Sequence, residues 1–167
     1  MAETAGLEPL HADVDFRIVV AVDLKVGTDR LLSAAERYGR AFNALVNIVH
    51  VAAPDPALVG YIKEPGNTEA IQNELIRDSH AEALRDEHQQ TQELGEALRK
   101  KGIRVDALTV QGPTLATILD EAGKLGADLL ILGSHHHNVM HRIWYGDTTL
   151  DAVKQSPCAL LVVPIAG

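Results

Sequence analysis

FRIVVAV, residues 16–22, is the stretch on which the reading of the fold turns. From Ile18 onward it is an unbroken apolar run, mostly β-branched. A strand with one wet face alternates polar and apolar residues, so this run predicts a strand buried on both sides. The same pattern returns in ALVNIVHV (44–51), ADLLILG (127–133) and CALLVVP (158–164). IRVDALTV (103–110) alternates more and predicts a strand with one wetter side.

Helical patterns separate these strands. Thr28 or Asp29 caps a helix running through Phe42, with Leu31, Leu32, Ala35, Tyr38 and Phe42 on one face. AAPDPALVGYIKEPGN (52–67) is rich in proline and glycine and reads as a loop. From Thr68 to Lys101 the chain turns to Glu, Gln, Arg, Ala and Leu, predicting one long helix or a helix broken near Ser79 or Gly95. Gly102 then stands where a C-terminal glycine belongs. Gly112-Pro113 opens a helix to about Leu125, and another covers Thr148 to Gln155. Strand and helix alternate throughout. The fold class is therefore α/β, a five-stranded parallel sheet with helices on both faces.

Composition bounds the function. At 167 residues the chain suits one folded domain, residues 16–167, preceded by an arm (1–15) without clear periodicity and expected to be flexible. The formal net charge of −8 opposes binding to nucleic acid or an anionic membrane. The one short basic run, Arg99-Lys100-Lys101, ends a helix, where cations suit the dipole. A single cysteine, Cys158, excludes an internal disulfide framework and fits a reducing compartment. The first fifteen residues lack the apolar core of a signal peptide, and no apolar run reaches membrane-spanning length. A cytoplasmic protein is the expectation.

In open parallel sheets, ligands bind beyond the C-terminal strand ends, where the strand order reverses. Five strands most simply give a flavodoxin-like order, with the reversal beside the first strand. The strand ends flanking it carry Asp23 and Gly133. The segment after Gly133, SHHHNVMHRIWYGDTTL (134–150), holds four of the chain's histidines.

The first strand ends in Val22-Asp23 and the second in Val49-His50-Val51, and Gly112-Pro113 follows the third. With GADLLILGSH (126–135) and SPCALLVVP (156–164), these segments in this order resemble the universal stress proteins. The resemblance covers residues 16 to 164. It implies a flavodoxin/Rossmann-like sheet of the adenine nucleotide alpha hydrolase type and a role in stress response as a sensor or binding module. It also implies a homodimer paired through strand 158–164.

In the nucleotide-binding branch of that family, the fourth strand leads into GxxGxxxxxxxxxG followed by Ser or Thr, a loop that cradles phosphate with backbone N–H groups. Carried onto this chain, the adenine pocket is Ala21, Asp23, Val51, Leu132 and Gly133. The phosphate side is His135, His136, Gly146, Asp147 and Thr148. The ligand would be ATP or AMP, with Mg²⁺ as a bridging cation. Gly133 and Gly146 keep the family spacing, but His136 replaces the middle glycine and Asp147 replaces the hydroxyl residue. An imidazole crowds an anion, and a carboxylate repels it. His135, His136, His137, His141 and Arg142 would in turn supply side-chain donors.

Three readings of the cleft therefore stay open: a nucleotide site, a degenerate cleft in an interaction protein, or a weak nucleotide hydrolase. No nucleophile–base pair stands out, because Ser134 and His135 are neighbours and no GxSxG, Walker loop or HExxH occurs. The histidines read as a polar loop, not a metal site. Adjacent side chains diverge, and no cysteine is near to complete a ligand set.

Overall fold

A computed structural model describes residues 15–53, 67–135 and 154–165. In chain order its elements are β1 (Arg17–Val22), α1 (Thr28–Ala41), β2 (Leu45–Ala52), α2 (Asn67–Lys100), β3 (Arg104–Gln111), α3 (Thr114–Lys124), β4 (Leu129–His135) and β5 (Ala159–Ile165). The arm expected at 1–15 lies outside the described residues apart from Asp15. The helix expected at Thr148–Gln155 also lies outside them, apart from Lys154 and Gln155, which are helical.

All strands are parallel and lie in the order β3-β2-β1-β4-β5. This corrects the flavodoxin-like order, which would set the third strand beside the first. The reason is visible in β3. Most of its residues are only half-buried, as in a strand flanked on one side, and an outer position suits it. The order still reverses beside β1, now between β1 and β4.

Right-handed crossovers then dictate the faces. Two successive steps outward, β1 to β2 and β2 to β3, put α1 and α2 on one face. The return step from β3 to β4 puts α3 on the other. The core splits accordingly. Ile18, Val20, Val22, Val46, Ile48, Val105 and Ile131 pack with Leu31 and Ala35 of α1, Leu98 of α2, and Ile103. Val19, Ala21, Val49, Leu130 and Leu132 pack with Ile118 and Ala122 of α3. Consecutive residues of β1 serve opposite cores, which is why the run had to be apolar throughout.

α1 starts differently from its expected cap. Gly27 is the capping residue, with φ of 100° and no side-chain cap hydrogen bond, while Thr28 Oγ1 donates to Lys25 O at 2.8 Å. A positive φ of that size favours glycine, and a side chain there would also collide with Ile165. α2 runs unbroken for 34 residues. Gly95, a candidate break, sits where a Cβ would come within 3.0 Å of Ala107 Cβ, so it brings the helix close to β3.

Leu98, 1% exposed, anchors the C-terminal part of α2 in the core. Leu98→Ala should cost about 2–5 kcal/mol of folding stability by chemical denaturation. Glu82→Ala, at an exposed position of the same helix, should change it by less than about 0.5 kcal/mol. Equal costs would mean that α2 is not anchored at Leu98.

Candidate functional site

Ladder pairing fails at one place in the sheet. β1 pairs with β2 from Arg17↔Leu45 through Val22↔His50. β4 pairs with β5 from Leu129↔Ala159 through His135↔Ile165. Between β1 and β4, however, pairing runs only from Ile18↔Leu129 to Val20↔Ile131. Past that point no ladder pair joins Ala21 and Val22 to Leu132 and Gly133, and all four residues are buried. Backbone groups past such an end must find partners outside the ladder.

The residues expected to form the adenine pocket lie at the C-terminal ends of β1, β2 and β4. Ala21 and Leu132 belong to the α3-side core, against which Val51 also packs. Asp23 stands just past the end of β1, where its Oδ1 accepts a hydrogen bond from Lys25 N at 3.1 Å. That bond helps shape the turn into α1, together with Leu24, whose φ is 59°. His135 ends β4 and pairs with Ile165. His136, Gly146, Asp147 and Thr148 lie outside the described residues, so the structure brings together the adenine half of the expected set.

Gly133 has a packing role beside any binding role. A Cβ there would overlap Ile165 Cδ1 and approach Leu31 Cδ1 to 3.4 Å. Ile165 also fills the space beside Gly27. One side chain from β5 thus covers two glycines, one in the β1–α1 turn and one in β4. Ile165 is 1% exposed. Sequence reasoning ended the last strand at Pro164 and missed it, although an apolar residue continuing that strand was the available signal.

His50 is the second residue that sequence reasoning passed over, noted only within Val-His-Val. It is buried in β2, with Nδ1 2.9 Å from Val22 O and Nε2 3.2 Å from Glu87 Oε2 of α2. A histidine inside an otherwise apolar strand was the signal. Cys158 packs partly buried against the α3-side core. Burial pushes its thiol above the ordinary range, in keeping with an inert side chain. Among the described residues, no group of three or more His, Cys, Asp or Glu could hold a metal ion. Nor, among them, is any helix long and apolar enough to cross a membrane.

A parallel sheet that reverses order between β1 and β4 defines a class: an α/β protein with a topological switch point, the place where open sheets of this kind bind ligands. Comparison with known proteins narrows the class. Residues 16–164 match the model of the universal stress protein family, and the chain belongs to that family. A universal stress protein of Thermus aquaticus, named for the 3′ region of a QAH/OAS sulfhydrylase, is 29% identical over 147 residues, covering 87% of this chain and 96% of the relative. Among solved structures, a universal stress protein in complex with cAMP superposes with a TM-score of 0.60 at 16% identity, covering 91% of this chain and 98% of that one. One from Archaeoglobus fulgidus in complex with dAMP gives 0.57 at 18% identity, with coverages of 89% and 98%.

The contact between Gly133 and Ile165 can be tested by a double-mutant cycle. Gly133→Ala should cost about 1–3 kcal/mol through overpacking, and Ile165→Val about 0.5–1.5 kcal/mol through the lost methyl group. In the Ile165→Val background, Gly133→Ala should cost distinctly less, because the colliding Cδ1 is gone. The same cost in both backgrounds would remove Ile165 as the reason for the glycine.

Proposed function

We infer that this chain is a stress-response binding module whose ligand is an adenine nucleotide, ATP or AMP, held in the crevice between β1 and β4. The observation that carries this reading is the end of the β1–β4 ladder at Val20 and Ile131, at the point where the strand order reverses. An adenine edge offers a donor and an acceptor side by side, the complement of backbone C=O and N–H groups. Ala21 leaves room for a flat ring, and Leu132 and Val51 supply an apolar lining. Asp23 is placed to accept from a ribose hydroxyl or an adenine amino group. The two neighbours solved with cAMP and dAMP support the same ligand chemistry. His135, His136, Gly146, Asp147 and Thr148 are the phosphate side of this proposal, with Mg²⁺ as a bridging ion beside Asp147.

The module works as a cytoplasmic homodimer in this reading. β5 is an outer strand, and Ala159, Val162 and Pro164 are exposed. An apolar edge is an aggregation hazard unless it is paired or covered, and the same strand of a second copy is the economical partner. The arm at 1–15 precedes the folded unit. A second reading, an interaction protein with a degenerate cleft, is favoured by His136 and Asp147, which replace the glycine and hydroxyl residue of the phosphate loop.

Isothermal titration with AMP, ATP and cAMP, with and without Mg²⁺, decides between the two. The proposal expects saturable binding; no heat at millimolar nucleotide would leave the degenerate cleft. His136→Gly with Asp147→Ser should tighten ATP about tenfold, equivalent to ~1.4 kcal/mol. A weaker complex would make those two side chains phosphate contacts instead.

A further inference from the structure

α2 is longer than the sheet it covers. Its 34 residues span about 51 Å, whereas the eight residues of β2 span about 26 Å. Its last turn leads through Lys101 and Gly102 straight into β3, so the surplus extends past the C-terminal strand ends, on the crevice side. Side chains tie its C-terminal part, from Glu87 to Arg99, to the sheet. Arg99 Nε donates to Val105 O at 2.9 Å, and Gln92 Nε2 to Ala107 O at 2.8 Å. Nearest the crevice, Glu87 meets His50 at 3.2 Å.

The chemistry of that last tie is constrained. His50 Nδ1 faces Val22 O, the final carbonyl of β1, and Nε2 faces a Glu87 carboxylate oxygen. Carbonyl and carboxylate oxygens only accept. Both contacts are hydrogen bonds at once only when the ring carries a proton on each nitrogen. A neutral ring keeps one bond and turns a lone pair on the other acceptor. Val22 O is fixed in the backbone, but the Glu87 side chain is 37% exposed and is free to turn into water.

We propose that His50 is a positioning residue of the crevice: its doubly protonated ring joins the end of β1 to α2, and loss of one proton releases Glu87 and loosens the helix. The effect on ligand binding rests on the crevice being the nucleotide site; the tie itself does not. The elements packed around the ring present few competing charges. β1 offers the Val22 carbonyl and β3 the Thr109 hydroxyl, paired in register with His50 and without a hydrogen-bond partner among the described residues. α1 turns apolar Leu31 and Ala35 to this face. On α2, Asp86 and His88 flank Glu87 but are exposed, and half-buried His80 lies two turns away along the same stripe. Asp106 of β3 falls between Val105 and Ala107, whose side chains take the α2 face, and so alternates to the other side. Asp23 follows Val22 beyond the strand end.

The sign follows from the donor count. The tie is complete while both ring nitrogens carry a proton and is lost when one proton leaves. The test compares wild type with Glu87→Gln and Glu87→Ala from pH 5.5 to 8. Nitrogen NMR of His50 should show both ring nitrogens protonated at the acid end and the Nδ1–H tautomer, held by Val22 O, at the other. Hydrogen-exchange protection of the α2 amides just before Glu87, corrected for intrinsic rate, should fall about threefold to tenfold across that range. A glutamine amide donates to a neutral Nε2, so Glu87→Gln should give a flat profile, and Glu87→Ala should be poorly protected at every pH. cAMP, whose phosphodiester does not titrate here, should bind wild type about threefold more tightly at pH 5.5 than at pH 8 and Glu87→Gln equally at both. A neutral Nε2–H ring, or matching exchange profiles for wild type and Glu87→Gln, would overturn the tie. Wild-type cAMP affinity that ignores pH while exchange moves would overturn the positioning role. No cAMP binding at any pH would count against the nucleotide reading, with NMR and exchange still deciding the tie.

Discussion

The ladder that joins β1 to β4 ends at Val20 and Ile131, at the point where the strand order reverses. Each strand stays paired on its far side, β1 with β2 as far as His50 and β4 with β5 as far as Ile165, while past Val20 and Ile131 the groups that face each other across β1 and β4 have no ladder partner. The crossovers carry the connections away from this point in opposite directions. Ile165 then locks the two flanks, resting on Gly133 in β4 and Gly27 in the β1–α1 turn. Strand order and one packed side chain thus shape this end of the sheet.

That origin separates scaffold from chemistry in this family member. The adenine half of the proposed site lies at strand ends whose side chains also serve the core: Ala21, Val51 and Leu132 all contribute to the α3-side cluster. The phosphate half of the proposal falls on the segment after His135, where the sequence departs from the expected pattern at His136 and Asp147. Selection can alter the second half without disturbing the first. Such a division fits a fold that stays constant while its ligand preference varies.

β1, β2 and β4 were legible because two-sided burial leaves an unmistakable apolar run, and the β1 alternation between cores explains it residue by residue. β5 carries the same apolar run, yet it is an outer strand with Ala159, Val162 and Pro164 exposed. Strand order was not legible in the same way. Five alternating units are compatible with either a central or an outer third strand, and only the wetter pattern of IRVDALTV pointed outward. The unbroken α2 was obscured by Gly95, which costs about 1 kcal/mol in a helix but admits close contact with Ala107. The place of Asp23 just past β1 and of Gly133 in β4 followed from the strand pattern, and Ala21, Val51 and Leu132 were proposed from the family resemblance. His50 and Ile165 did not follow from either. Their roles come from contacts across 28 residues to Val22 and between β5 and the β1–α1 turn, and no local pattern encodes such contacts.

The central claim is that the C-terminal ends of β1 and β4 are where this protein holds its ligand. Amide chemical-shift mapping of isotope-labelled protein titrated with AMP tests it most directly. The account predicts saturable shifts concentrated at Ala21, Val22, Asp23, Val51, Leu132 and Gly133, with the opposite strand ends near Phe16 and Phe42 unmoved. Saturable shifts confined to those opposite ends, or to the outer face of β5, would contradict it.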